Sequence, residues 1–172
     1  AYLAVSDDGS APLFNPAGVA LLKKKLFATS YRTLRLDRKL GYVSFIMPTR
    51  EESVFGFNWH YFSSGDVMRR DSNGRELGES LSLNSHAFTI LLAKQFEEYL
   101  SVGMRAGYLH STFAEMKAYS VTIDIGAMLY LSKMFDRERR DTYAVQDVQV
   151  GAVIKNLAAK YRWDSAEYNL TY

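Results

Sequence analysis

Strict two-residue alternation, repeated in four separate segments, constrains this chain more than any other feature. In SVFGFNWHYF the residues Phe55, Phe57, Trp59 and Tyr61 share one face of an extended strand, and Val54, Gly56, Asn58 and His60 share the other. LSVGMRAGYLH repeats the pattern, with Leu100, Val102, Met104, Ala106 and Tyr108 opposite Ser101, Gly103, Arg105, Gly107 and Leu109. YSVTIDIGAMLYL sets Tyr119, Val121, Ile123, Ile125, Ala127, Leu129 and Leu131 against Ser120, Thr122, Asp124, Gly126, Met128 and Tyr130. VQVGAVIKNL sets Val148, Val150, Ala152 and Ile154 against Gln149, Gly151, Val153 and Lys155. A helix cannot satisfy this period, so the four segments are strands with one greasy face and one face of small, polar or ionisable residues.

Weaker alternation near Lys25 to Leu34, Lys39 to Pro48 and Leu81 to Phe96 raises the expected count to seven strands, with YRWDSAEYNLTY as a candidate eighth. The connections RLDR, PTREES, FEEY and FAEMK are short, which implies antiparallel neighbours. Two others, SGDVMRRDSNGRELGES and SKMFDRERRDTYAVQD, are long and charged and carry no apolar period, so they read as loops. Several strands are long enough to cross a bilayer when tilted, which takes about nine to eleven residues, whereas soluble strands cluster near five or six. A soluble antiparallel sandwich or lipocalin-like barrel also alternates. Its solvent face, however, has little use for Gly56, Gly103, Gly107, Gly126 and Gly151, because glycine weakens a strand without packing in return. The expected fold is therefore all-β, an antiparallel transmembrane β-barrel.

Composition removes other classes. With 48% hydrophobic and 23% charged residues the chain is ordinary for a folded protein, and its 172 residues suit one domain. The net charge of +2 is dispersed, which names no nucleic-acid groove and no polybasic membrane patch. The absence of cysteine excludes a disulfide framework, thiol catalysis and thiolate zinc sites. No stretch approaches the ~18 apolar residues of a membrane-spanning helix, a criterion that strands escape.

Ahead of the first strand lies AVSDDGSAPLFNPAGVALL. Pro16 fixes its own φ and drives Asn15 out of the helical region, while Gly18 permits a left-handed or close-packed backbone and AGVALL can form one or two helical turns. Asp7 and Asp8, then Asn-Pro-Ala-Gly, then a short apolar run and Lys23 to Lys25, resemble the N-terminal segment of the outer-membrane fatty-acid-transporter superfamily. The closer likeness is to its PorV/PorQ branch, which serves type IX secretion in Bacteroidetes-type bacteria. VTIDIGAMLYL followed by VQVGAVIKNLAAKY is similar to that family's Asp-x-Gly strand and subsequent Gly-containing strand ending in Lys-Asn or Gln-Asn. The resemblance implies a plug- or hatch-like segment over residues 1–23, with Asn15, Pro16, Ala17 and Gly18 as plug or ligand gate, and barrel strands over 24–172. Members close with about fourteen strands. The expectation is thus the N-terminal seven or eight strands of a longer barrel, with a complete eight-stranded barrel, favoured by the aromatic ending YNLTY, as the alternative.

Catalytic chemistry is not expected. His60, His86 and His110 lie on different strands without ligand spacing, so no metal site and no cofactor is assigned, and a nucleophile elbow, phosphate-cradling glycine loop and zincin motif are all missing. The paired Glu97 and Glu98 fall in a turn, and the run from Asp136 to Asp141 reads as a solvated loop. Parity instead puts Asn58, His60, Arg105, Asp124 and Lys155 on the face that would line a lumen, where Arg105, Asp124 and Lys155 can pair across strands, brace a plug or tune passage. Tyr31, Trp59, Tyr61, Tyr108 and Tyr130 are candidates for interfacial or pore-wall aromatics, although their parities differ. These readings, with the resemblance, lead to a non-enzymatic protein of the bacterial outer membrane. It would contact outer-membrane lipid and act as carrier or partner in protein export or surface attachment, alongside secretion-system or surface-protein partners. The alternatives are a passive channel with a hydrophobic small ligand or detergent in the lumen, and a soluble β-barrel binding protein.

Overall fold

The computed structural model describes residues 9–50, 52–114, 116–131, 133, 148–157, 159–160 and 162–164. A four-residue helix α1 (Ala11–Phe14) and a 3-10 turn (Pro16–Leu21) precede ten strands. These are β1 (Leu26–Thr33), β2 (Lys39–Pro48), β3 (Ser53–Ser63), β4 (Val67–Arg70), β5 (Glu76–Leu81), β6 (Leu83–Phe96), β7 (Leu100–Phe113), β8 (Met116–Tyr130), β9 (Gln149–Leu157) and β10 (Arg162–Asp164). Among the described residues no helix is long and apolar enough to cross a membrane, a statement that does not bear on strands.

The main sheet is an antiparallel meander in the order β1-β2-β3-β6-β7-β8, with β9 and β10 both on the remaining edge of β8. β9 takes the Ile123–Tyr130 stretch of β8 and β10 takes Lys117–Tyr119, so the two lie end to end at one lateral position. The candidate eighth strand, as far as it is described, therefore prolongs the seventh; the rest of YRWDSAEYNLTY, with all of YNLTY, lies outside the described residues. Between the pairs Ile125↔Ile154 and Ile123↔Leu157 the β9 side carries one extra residue, a bulge in which Asn156 adopts φ 60°. Neither β1 nor the β9–β10 position has a second neighbour among the described residues, and the sheet is not closed there.

All four short connections form tight returns, and RLDR places both Leu36 and Asp37 at positive φ, as a turn matched to strand twist requires. One long connection differs from the expectation of a featureless loop: β4 and β5 pair as a separate hairpin across the Asp71–Gly74 turn. Alternation was no guide there because neither face of the hairpin packs on a core. Most of the other long connection, including Asp136 to Asp141, lies outside the described residues.

The two faces of the sheet are reversed relative to a soluble sheet. On β6, Ile90 and Leu92 are 50% and 53% exposed, whereas Leu91 between them is fully buried. Phe27, Phe57, Phe88, Met104, Val121, Ile125 and Ile154 share the exposed face. The opposite, inner face is covered by the chain's own N-terminal segment. Its apolar core is small: Ala11, Val19 and Ala20 pack with Ile46, Val54, Leu91 and Ala93, and Ala17 packs with Met128 and Tyr130.

The N-terminal segment also reports the curl of the sheet. Gly9 and Leu13 are four residues apart, so at most ~14 Å of chain separates them. β2 and β9 lie five strand spacings apart, about 24 Å in a flat sheet. Tyr42 of β2 nevertheless bonds the Gly9 carbonyl at 2.6 Å and Lys155 of β9 bonds the Leu13 carbonyl at 2.6 Å. Inward side chains of a flat sheet run parallel and cannot converge in this way, so the sheet curls around the segment.

Candidate functional site

The site is the seam between the N-terminal segment and the inner face. Ahead of Pro16, Asn15 is extended at φ −143° and ψ 114°, as the proline ring demands. Its side chain then works in two directions. Oδ1 accepts the Ala17 N–H at 3.0 Å, capping the 3-10 turn, and Nδ2 donates to the Ala127 carbonyl of β8 at 3.2 Å. Asn15 is fully buried, as are Pro16 and Ala17. Gly18 is buried within the 3-10 turn without a positive φ, so it does not use the left-handed backbone.

This fit explains two of the inward glycines. Gly103 and Gly126 are register partners on β7 and β8. A Cβ on Gly103 would collide with the Pro16–Ala17 backbone, and one on Gly126 would collide with Asn15 Oδ1 and the Pro16 ring. The glycine pair is a slot for Asn-Pro, and only glycine leaves it open.

Next to the slot, Arg105 and Asp124, also register partners, form a buried ion pair. Arg105 Nε donates to Asp124 Oδ2 at 2.9 Å, Nη2 makes a shorter contact with the same oxygen, and Nη1 donates to the Pro12 carbonyl at 2.8 Å. Asp124 is 1% exposed, and its second oxygen accepts the Asn156 N–H at 2.8 Å within the β9 bulge. Lys155 does not join the ion pair. It donates to the Leu13 carbonyl and lies 6.0 Å from the Phe14 ring centroid. Pro12 and Leu13 carry carbonyls that a one-turn helix leaves unsatisfied, and two cations from the sheet satisfy them.

Asn58 and His60 stand apart from this cluster on the same inner face. Asn58 Nδ2 donates to Thr89 Oγ1 at 3.2 Å, and its Oδ1 lies 3.3 Å from the Tyr42 hydroxyl, whose shorter contact is with Gly9. His60 packs on Tyr42 with ring centroids 4.7 Å apart, and its Nε2 has no hydrogen-bond partner among the described residues. Both Tyr42 and His60 line an inner cavity of about 570 Å³ that also touches Phe14, Arg32 and Leu109. Of the five aromatics considered for an interface or pore wall, Tyr130 is buried on the inner face. Tyr31, Trp59, Tyr61 and Tyr108 face outwards, and so do His86 and His110, which sit opposite one another. Among the described residues no three His, Asp or Glu side chains converge on a metal-sized site.

Tyr42, Asn156 and Thr122, whose Oγ1 donates to Asp124 Oδ1 at 3.3 Å, also belong to the seam, beyond the inward residues that the sequence marks for it. The inward parity of Tyr42 with Ser44 and Ile46 was a readable signal; the role of Asn156 depends on a bulge that alternation does not reveal. Comparison with known families, curated proteins and solved structures finds no match to this chain. What the fold and seam define is a class: a curled antiparallel sheet, apolar outside, with its own N-terminal segment bolted to its inner face.

Proposed function

We propose that this chain forms part of a non-enzymatic outer-membrane β-barrel of the kind that PorV and PorQ exemplify, with residues 9–22 as its plug. It would act as carrier or partner in protein export or surface attachment. One observation carries the reading: the large apolar side chains face outwards while small and charged ones face the plug. The outward face also ends in an interface-like order. Tyr61, His86, His110 and Tyr119 form one row across β3, β6, β7 and β8, and Lys39, Ser63, Asn84, Thr112 and Lys117 form the next. Trp59 stacks near Tyr61, His86 and Phe88 beside them. From Tyr119 to Leu129 the strand rises ~34 Å, or about 24–28 Å along the normal at the usual tilt, close to the ~25 Å apolar band of outer-membrane barrels.

The reading requires that both sheet edges find partner strands, because open edges do not occur in lipid; the barrel would have about fourteen strands in all. A plug held by Arg105, Lys155, Asn15 and Tyr42 obstructs free diffusion, which favours a carrier or scaffold over an open pore. The inner cavity beside Phe14 favours the second reading, a passive channel for hydrophobic molecules.

The test is whether the native protein remains in washed membranes, migrates on a gel in a heat-modifiable way after detergent extraction, and has an intact mass well above 19.6 kDa. Copurification with a secretion or surface assembly supports the first reading, and a lipid-like molecule recovered from the lumen supports the second. A buffer-soluble protein of 19.6 kDa overturns both and leaves a soluble β-barrel binding protein.

A further inference from the structure

The outward face carries one feature that a plain lipid-facing surface has no use for. Between the row Tyr61–His86–His110–Tyr119 and the row Phe96–Leu100–Leu129–Val150, Lys94 is the only charged side chain facing outwards among the described residues. It sits at the mouth of a groove of about 480 Å³ whose outward walls are Phe55, Leu92, Val102, Met104 and Ile125. These walls are ordered by register: Phe55, Leu92, Met104 and Ile125 are successive partners across four strands, and Val102 is the partner of Lys94. The groove volume falls in the range of small-molecule sites, about 300–1,000 Å³.

Lys94 extends towards the strand ends. Its Nζ lies 5.8 Å from the ring centroid of Phe96, two residues nearer the β6–β7 turn, and it forms no ion pair with any carboxylate of the described residues. A lysine stem laid along apolar surface with its ammonium turned to the band edge is a snorkelling geometry, held here by a cation–π contact. An ammonium held at the band edge lies at the level of lipid headgroups, where an anion is its natural counter-charge.

We propose that this groove binds an anionic glycerophospholipid, with an acyl chain between Phe55, Leu92, Met104 and Ile125 and its phosphate on Lys94. This rests on the membrane reading above. Within a bilayer the acyl chain gains nothing from leaving water, so the groove supplies shape and the Lys94–phosphate pair supplies selectivity. One cation suits the single phosphodiester charge of a glycerophospholipid, whereas a bis-phosphorylated lipid A calls for a cluster of cations that the outward face does not provide here.

The experiment is native mass spectrometry of the full-length, detergent-extracted protein after reconstitution into nanodiscs holding equal parts phosphatidylglycerol and phosphatidylcholine. One retained phosphatidylglycerol, enriched about fivefold over phosphatidylcholine, is expected from the worth of one lysine at an anionic surface. Lys94→Gln should abolish the preference and Lys94→Arg should keep it. Leu92→Phe, which narrows the groove and leaves the charge, should lower retention of both lipids. Entry into nanodiscs without any lipid preference, or a preference that survives Lys94→Gln, overturns the site but leaves the membrane reading standing. Retention of lipid A in an added arm, or a lipid-free dimer, overturns the choice of occupant. Failure to enter nanodiscs overturns both.

Discussion

At the scale of single residues, the seam is held by buried polar groups that pair across it. Removing Asp124 would leave the Arg105 guanidinium, which is itself largely buried, without its counter-ion, and would strip the Asn156 N–H of its acceptor. Asp124→Ala is expected to cost about 3–5 kcal/mol, the range for breaking one half of a buried pair. Arg105→Leu with Asp124→Leu removes the stranded charge and should recover part of that loss, the remainder being about 1–3 kcal/mol for each group left without a partner, the Asn156 N–H and the Pro12 carbonyl. Urea midpoints of the folded protein would measure both; a double variant as unstable as the single one would mean that the pair is not what holds the seam. The glycine slot gives a second comparison. In Gly103→Ala the new methyl meets the Pro16–Ala17 backbone, which cannot turn aside, so a loss of about 1–3 kcal/mol and protease access to residues 9–22 are expected. Gly107→Ala meets only the methyls of Thr122 at 2.8 Å and Thr89 at 2.9 Å, which can yield, and should cost less. Equal losses would remove the slot as the reason for Gly103.

At the scale of elements, what the sequence disclosed and what it hid have one physical cause. Alternation is written wherever a strand separates two unlike environments, so β3, β7, β8 and β9 are legible in kind and facing, including the parity of Asn58, His60, Arg105, Asp124 and Lys155, although not in their ends or in the β9 bulge. The β4–β5 hairpin separates nothing, and its only signal was the DSNG turn, where the Asp71 side chain accepts the N–H groups of Asn73 and Arg75 at 2.9 and 2.8 Å. Parity makes the Arg105–Asp124 pairing legible, but not which inward residues meet the N-terminal segment, because those partners are set by register and curl. Of the roles open to Lys155, pairing across strands or bracing the N-terminal segment, only the geometry selects the second: it holds the Leu13 carbonyl across 142 residues of chain. The hairpin yields its own prediction. Ser64 and Leu83 are joined at its base, the Ser64 N–H donating to the Leu83 carbonyl at 2.9 Å and the Leu83 N–H donating to Ser64 Oγ at 2.8 Å. Removing residues 66–81 and joining Gly65 to Ser82 should therefore leave the main sheet folded, with an unchanged heat-modifiable shift and a urea midpoint close to that of the parent. A loss of the folded band would make the hairpin part of the sheet's stability.

At the scale of the whole molecule, the decisive property is that half of the sheet's surface is greasy and uncovered. A soluble sheet of this length would expose a continuous apolar patch far beyond the few hundred Å² that soluble monomers tolerate, whereas a bilayer makes the same surface the stable one. Ile90 lies near the middle of that face, one outward position from Phe88 on one side and, by way of Leu92, two from Lys94 on the other, and is half exposed. Thr112 faces outwards as well, but in the row with Lys39, Asn84 and Lys117 beyond the aromatic residues. In water, a lysine at either outward position changes stability by no more than ~0.5 kcal/mol. In a bilayer the cost depends on depth, about 2–4 kcal/mol near the midplane and ~0–1 kcal/mol at the interface. Ile90→Lys should therefore lower the urea midpoint of the lipid-reconstituted protein strongly while Thr112→Lys leaves it nearly unchanged. The difference should vanish if the outward face meets water. Two small and equal effects would overturn the barrel reading even for a protein that sediments with membranes, because they would show that this face is not the one in lipid.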